Sequence, residues 1–317
     1  MRPSLRIDNG DMSGHEQASE LGAFLKACRA RVQPEQAGLV PYGDRRRVAG
    51  LRREELAQLA GVSSSYYARL EQGQSRHASP EVLDAIAAAL ALDPVERQHL
   101  HALAESAGRR RVTRPAPVEQ PDPALIELLD AMPTVPAIIL GSHSDVLAWN
   151  PMGHALLLGH LDYACVSVPG RRPNLIELVF LDPNLRALFA DWPSKARAVV
   201  GNLRLAAGTH PGEPALAALI DNLIMASPEF GSLWADQTVQ ACYTARYRLH
   251  HPLVGDLTIT QQTLRSIQVP DQTIVTCTAP GESAATEALS SLWKTVSLFE
   301  SRDPSSPGNC RELNLLS

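Results

Sequence analysis

GLRREELAQLAGVSSSYYARLEQG, residues 50–73, decides how the first third of the chain is read. Two short helical patterns flank Gly61-Val62. Leu56, Ala57, Ala60, Val62, Tyr67 and Leu70 recur at the three- and four-residue spacing of one inward helix face. Gly61 suits the end of the first helix, because a positive φ costs glycine little. Ser63 is placed to cap the second helix by accepting a backbone N–H. Two helices joined by a short glycine turn form a helix-turn-helix, whose second helix enters the DNA major groove by its N-terminal residues.

With Tyr67 and Leu70 inside, Ser64, Ser65, Tyr66 and Arg69 fall outside or at the boundary. Serine, tyrosine and arginine there are modest choices for helix stability but good hydrogen-bonding groups. Arginine can grip guanine bidentately, and serine can bond bases or phosphate. Arg53, at the start of the preceding helix, is placed for a phosphate. Arg45, Arg46, Arg47 and Arg76 extend the basic surface. Between residues 45 and 76 there are seven arginines against three acids, the electrostatic footprint of a nucleic-acid binder. The expected DNA-contacting set is therefore Arg45, Arg46, Arg47, Arg53, Ser63, Ser64, Ser65, Tyr66, Arg69 and Arg76.

Outward from this stretch, helical patterns begin near Glu20 (Leu21, Phe24, Leu25, Cys28) and cover about 53–60, 64–72, 79–91 and 94–107. Ser79-Pro80 and Asp93-Pro94 are helix starts. Residues 17–107 thus read as an all-α, five-helix DNA-binding domain. The charge supports the division. The chain of 317 residues has a formal net charge of −5, yet residues 1–114 carry 17 basic against 14 acidic side chains. The remaining 203 residues are acidic, 12 against 20, which suggests a second domain with a different task.

GRRRVTRPAPVEQPDP, residues 108–123, reads as linker (108–121), with its arginines more simply solvated than DNA-bound. From 122 to 300 the pattern is α+β. A helix at 124–132 precedes strands at 136–140 and 145–150. Helices fill 151–235, with starts at Asp182-Pro183 and Ser227-Pro228. Three or four strands are expected, over 243–250, 256–262, 264–269 and 273–278, and a last helix at 283–299. Two strands, a helical middle and an antiparallel set is the order of a PAS-like sensor. Residues 301–317 read as a disordered tail. A sheet covered by helices can enclose an apolar cavity with a few polar groups. Trp149, Phe180, Phe189, Trp192, Phe230 and Trp234 are the candidate cavity residues, although each taken singly reads first as core. Asn150 reads as the cap of the helix at Pro151.

The five scattered cysteines form no C-x-x-C pair, which disfavours a disulfide framework or zinc site. Neither a metal nor a cofactor is expected. Ser142-His143-Ser144-Asp145 contains triad residue types, but adjacency is not triad geometry, and the run reads as a turn. No Walker loop, H-E-x-x-H or G-x-S-x-G occurs, so an enzyme is not expected. No signal segment or 18-residue apolar run is present, which points to a cytoplasmic, nucleoid-associated protein without a membrane partner.

Residues 20–106 resemble an XRE-type (Cro/phage-repressor-like) helix-turn-helix domain, through LGAFLKACRARV, the opening stretch and ASPEVLDAIAAALALDP. DVLAWNPMGHALL, FLDPNLRALFADW, SPEFGSLWADQTV and LHHPLVGDLTI are similar to segments of the MmyB-like domain, whose fold is PAS-like. The resemblance implies a bacterial regulator that binds a double-stranded DNA operator and senses a small, apolar or amphipathic effector, with a homodimer as the default assembly. In that comparison Ser64, Ser65 and Arg69 match base-reading positions and Arg53 a backbone-contacting one. The sequence departs from the pattern near Gln237, where histidine is expected, and near Gln262, where glutamate is expected. Three other readings of the second domain stay open: a dimerisation or partner module without effector, a sensor whose cavity is filled by side chains, or an enzyme.

Overall fold

The computed structural model describes residues 12–38, 50–75, 78–106, 118–210, 212–239, 243–281 and 283–300. Arg45, Arg46, Arg47 and Arg76, most of the expected linker and the expected tail at 301–317 lie outside them. The described chain forms two compact units. The described residues within 1–113, 202–219 and 232–241 form unit 1, and those within 114–201, 220–231 and 242–317 form unit 2.

Unit 1 contains α1 (Met12–Arg31), α2 (Arg53–Leu59), α3 (Ser64–Glu71), α4 (Pro80–Ala89) and α5 (Pro94–Ser106). Helix α1 begins well before the expected Glu20. The turn between α2 and α3 is built by local chemistry. Gly61 takes φ +66, and the Val62 N–H reaches back to the Ala57 carbonyl at 2.9 Å, which satisfies the end of α2. Ser63 Oγ then accepts the Tyr66 N–H at 3.2 Å and opens α3. Asp93 and Glu96 cap α5 reciprocally, with the Glu96 N–H donating to Asp93 Oδ1 at 2.8 Å and the Asp93 N–H to Glu96 Oε2 at 3.3 Å. Phe24, Leu25, Leu56, Tyr67, Ile86 and Leu100 meet in one buried core. Val239, with partly buried Leu205, joins that core. His99 lies edge-on to Phe24 at 5.0 Å, and a Cβ on Gly208 would stand 2.5 Å from its Nδ1.

Unit 2 opens with α6 (Pro123–Asp130), capped by Asp122. Its sheet is antiparallel in the order β2-β1-β5-β4-β3, with β1 Ala137–Leu140, β2 Val146–Trp149, β3 Thr244–His251, β4 Gly255–Arg265 and β5 Thr273–Thr278. The stretch 264–269 is not a separate strand: Leu264 and Arg265 end β4 against Ile274 and Thr273. The chain then turns, with the Gln272 N–H on the Val269 carbonyl at 3.0 Å. Between β2 and β3 lie α7 (Pro151–Gly153), a π-helical turn (His154–Leu158), two 3₁₀ turns, α8 (Leu175–Leu181), α9 (Pro183–Leu188), α10 (Trp192–Thr209), α11 (Pro214–Ala226) and α12 (Pro228–Ala235). Helices α10, α11 and α12 each contribute residues to both units. Helix α13 (Ala284–Glu300) closes the described chain.

The sheet register fixes two faces. Ala137, Ile139, Leu147 and Ile274 pack on Leu125 and Leu129 of α6. The opposite, inner face carries Ile138 with its partners Trp149 and Val275, Gln261 opposite Cys277, and Tyr247 opposite Ile259. Residues 142–145 form the expected turn, with Ser144 at φ +68 and the Gly141 N–H on the Asp145 carbonyl at 2.9 Å. Residues 118–121 have no regular structure, but Ser142 donates its N–H and hydroxyl to Glu119, each at 3.1 Å.

Candidate functional site

On α3 the periodicity sorts the side chains as the sequence implies. Tyr67 and Leu70 are buried, Ser64, Ser65 and Arg69 are exposed, and Tyr66 is half-buried. Ser63 is exposed, but its hydroxyl is occupied as the cap and lies 3.3 Å from the Ser65 hydroxyl. Its first task is therefore to shape α3, which leaves Ser64, Ser65 and Arg69 as the outward donors and acceptors.

Arg53 is held by a group that the sequence reading missed. Glu71, its side chain 1% exposed, accepts from Arg29 at 3.0 Å through each oxygen and from Arg53 Nε at 2.9 Å. Arg29 also donates to the Leu51 carbonyl at 2.6 Å. Burial alone would push the Glu71 carboxyl up, but hydrogen bonds from Arg29 and Arg53 outweigh it and hold the group below its ordinary range. Arg53 stays 44% exposed, so one edge of its guanidinium is fixed while the rest faces solvent. The available signal was position: Glu71 follows Leu70 on the inward face, where an acid needs a cationic partner.

The six aromatic candidates do not form one group. Phe180 lies edge-on to both Trp192 and Phe230, at 5.6 and 5.1 Å. The Trp192 indole donates to the Val179 carbonyl at 2.7 Å, and Arg186 stacks on its ring at 3.8 Å. Phe189 meets Tyr247 edge-on at 5.3 Å. Trp234 belongs to unit 1, where the Arg204 guanidinium covers its ring at 4.0 Å. Gln237, at φ +53, accepts from Arg204 at 2.7 Å. Gln262 is exposed and pairs with Thr276 on the α6 side of the sheet. Its neighbour Gln261 is the one on the inner face.

That inner face carries buried polar groups at both ends. Lys195, only 4% exposed, donates to Gln261 Oε1 at 2.9 Å and sits 5.0 Å from the ring centres of Phe189 and Tyr247. Cys277 lies nearby, its thiol pushed up to about 12 by burial, with Lys195 opposing. At the other end Trp149 packs against His154 at 4.8 Å and Tyr163 at 5.9 Å. Asn150 next to it is fully occupied. Its Oδ1 accepts the Gly153 and Ala137 N–H groups at 2.7 and 3.0 Å, and its amide donates to Met132 and Val135, both at 2.8 Å. It is a cap, as read from the sequence. Lys195 also left a signal, as one of three lysines in the chain, on the buried face of α10 with Trp192, Ala196 and Val199.

Among the described residues no group of three His, Cys, Asp or Glu side chains is placed to hold a metal ion. No helix there is long and apolar enough to cross a membrane. Residues 121–292, more than half of the chain, match the family model of the MmyB-like transcription regulator ligand binding domain. Residues 20–100 match that of a helix-turn-helix domain. No curated protein matches the chain.

Proposed function

The chain belongs to the family of the MmyB-like transcription regulator ligand binding domain, joined to a helix-turn-helix domain, and from this we propose that it is a DNA-site-specific regulator whose activity responds to a small molecule. Helix α3 reads bases through Ser64, Ser65 and Arg69, while Arg53 grips a phosphate. The observation carrying this reading is the arrangement of α3: a capped, core-anchored helix with its hydrogen-bonding side chains turned to solvent and a guanidinium fixed beside it by Glu71.

The effector binds at the inner face of the unit 2 sheet and shifts DNA affinity by preferring one conformation. The protein works as a homodimer on a two-half-site operator in the cytoplasm. Selection of duplexes from a random pool with the full chain tests the DNA half. An enriched motif that Arg69→Ala broadens supports it, and equal binding to every duplex refutes it. Native mass spectrometry of the purified protein, with DNA titrations before and after ligand removal, tests the effector half.

A further inference from the structure

Trp149 and His154 are both buried, at 5% and 0% exposure. Neither Trp149 Nε1 nor His154 Nδ1 has a hydrogen-bond partner. Buried polar atoms are almost always paired, so two orphans on neighbouring rings call for an explanation. Their roles follow from chemistry. His154 Nε2 lies 2.9 Å from the Leu161 carbonyl, which can only accept, so the proton sits on Nε2 and Nδ1 is a bare acceptor. The Trp149 indole N–H is only a donor. Tyr163 stands beside both rings, 5.1 Å from His154 and 5.9 Å from Trp149. The chain widens into its π-helical turn at His154, an irregularity often found at functional sites.

We propose that Trp149 and His154 are the polar anchor of the effector site, and that they take a neutral hydroxyl group carried on an apolar body. A hydroxyl accepts from the indole N–H and donates to Nδ1, which satisfies both orphans at once. A carboxylate would set its lone pairs against the lone pair of Nδ1, and an ammonium would leave the indole N–H unmet. Burial pulls the His154 pKa down to about 4, so the ring stays neutral and does not become a donor for an anion. The apolar body has neighbours in Ile138 and Val275 on the same sheet face. This proposal rests on the effector-sensing reading above.

The test uses the full chain with 1-octanol, octanoate and octylammonium as probes. Binding is followed by calorimetry and by the ¹H–¹⁵N indole resonance of Trp149, assigned with Trp149→Phe. The expected result is saturable 1-octanol binding with a downfield shift of that resonance, and at least tenfold weaker binding of the two ions. Trp149→Phe keeps an aromatic ring, and it should weaken 1-octanol at least tenfold without changing the far-UV spectrum. Should that variant unfold, His154→Asn, which keeps an acceptor, must retain more 1-octanol affinity than His154→Leu. Equal binding of alcohol and carboxylate overturns the proposal. So does an indole signal that no probe moves, which would mean a structural water only. A copurifying small molecule held equally by wild type and Trp149→Phe also overturns it, yet leaves the sensing reading standing. DNA binding that no small molecule alters refutes the sensing reading itself.

Discussion

Replacing Glu71 should damage unit 1 more than any exposed substitution on α3. The carboxylate sits between two guanidiniums, one of them, Arg29, with a side chain only 10% exposed. Removing one partner of a buried pair costs about 3–5 kcal/mol, because the remaining charge stays buried. Arg53 can rehydrate, so Glu71→Ala belongs at the lower end, about 3 kcal/mol, and Glu71→Gln, which keeps an acceptor, at about 2 kcal/mol. The pH dependence has a definite sign. The folded-state pKa of Glu71 is depressed, so its contribution is full above the unfolded value, about 4.5, and is lost as pH falls through the folded value. Urea unfolding of the full chain, with hydrogen exchange of α1 and α3 amides to localise the loss, gives both numbers. Glu71→Gln and wild type should draw together as the solution is acidified from about pH 4.5 through the depressed folded value. A Glu71→Gln protein within about 0.5 kcal/mol of wild type at pH 7, the range of ordinary surface changes, would refute the argument.

Arg69→Ala should weaken specific DNA binding by about 1–3 kcal/mol and relax one base position, read by anisotropy with base-substituted duplexes. Arg53→Ala should weaken all duplexes alike and shallow the salt dependence by about 0.9 in log–log slope, one phosphate contact. Gly22→Ala would place a Cβ 2.1 Å from the Glu71 carbonyl oxygen, so it should cost at least about 1–3 kcal/mol by overpacking α1 on α3, seen as a lower urea midpoint. His99 and His154 are both pulled down to about 4 by burial. The unfolded chain takes up protons below about pH 6.5 while the folded one does not. Stability should therefore fall between pH 6.5 and 4, by about 2 kcal/mol per histidine at pH 5, and His99→Gln should remove the unit 1 share.

The helix-turn-helix was legible because everything that makes it is local. The inward spacing, the glycine turn and the serine cap all lie within Leu56–Leu70, and the exposed face follows by elimination. Glu71 was harder because its partner Arg29 is 42 residues away; only the anomaly of an acid at an inward position was visible. In unit 2 the antiparallel strands were readable except that 264–269 is partly the end of β4 and not a strand of its own, but the site depended on register. A departure near Gln262 does not say which glutamine faces inward; the register puts Gln261 on the inner face and Gln262 on the other, since a one-residue step in a strand changes face. The aromatic set scattered for a related reason. Hydrophobicity marks Phe180, Trp192 and Phe230 as buried, but only tertiary contacts reveal that they pack on one another. Nothing local to Trp234 says that Arg204 covers it in unit 1.

Hydrogen-bond accounting separates packing from recognition among the buried aromatic and polar groups of unit 2. Trp192 and Trp149 are the same side chain at similar depth, yet Trp192 donates to a carbonyl at 2.7 Å while Trp149 has no acceptor. His251 and His154 are both buried and each bonds a backbone carbonyl through Nε2. His251 Nδ1 also accepts the Leu253 N–H at 3.3 Å, while His154 Nδ1 accepts nothing. Asn150, adjoining Trp149, uses both polar atoms of its side chain. A loosely built region would leave polar groups unmet without pattern. Here one donor and one acceptor are left together, on rings in contact, beside groups whose bonds are complete. That complementarity is what a ligand with one group able both to donate and to accept would require, and it is why the indole resonance of Trp149 is the most direct reporter of effector binding.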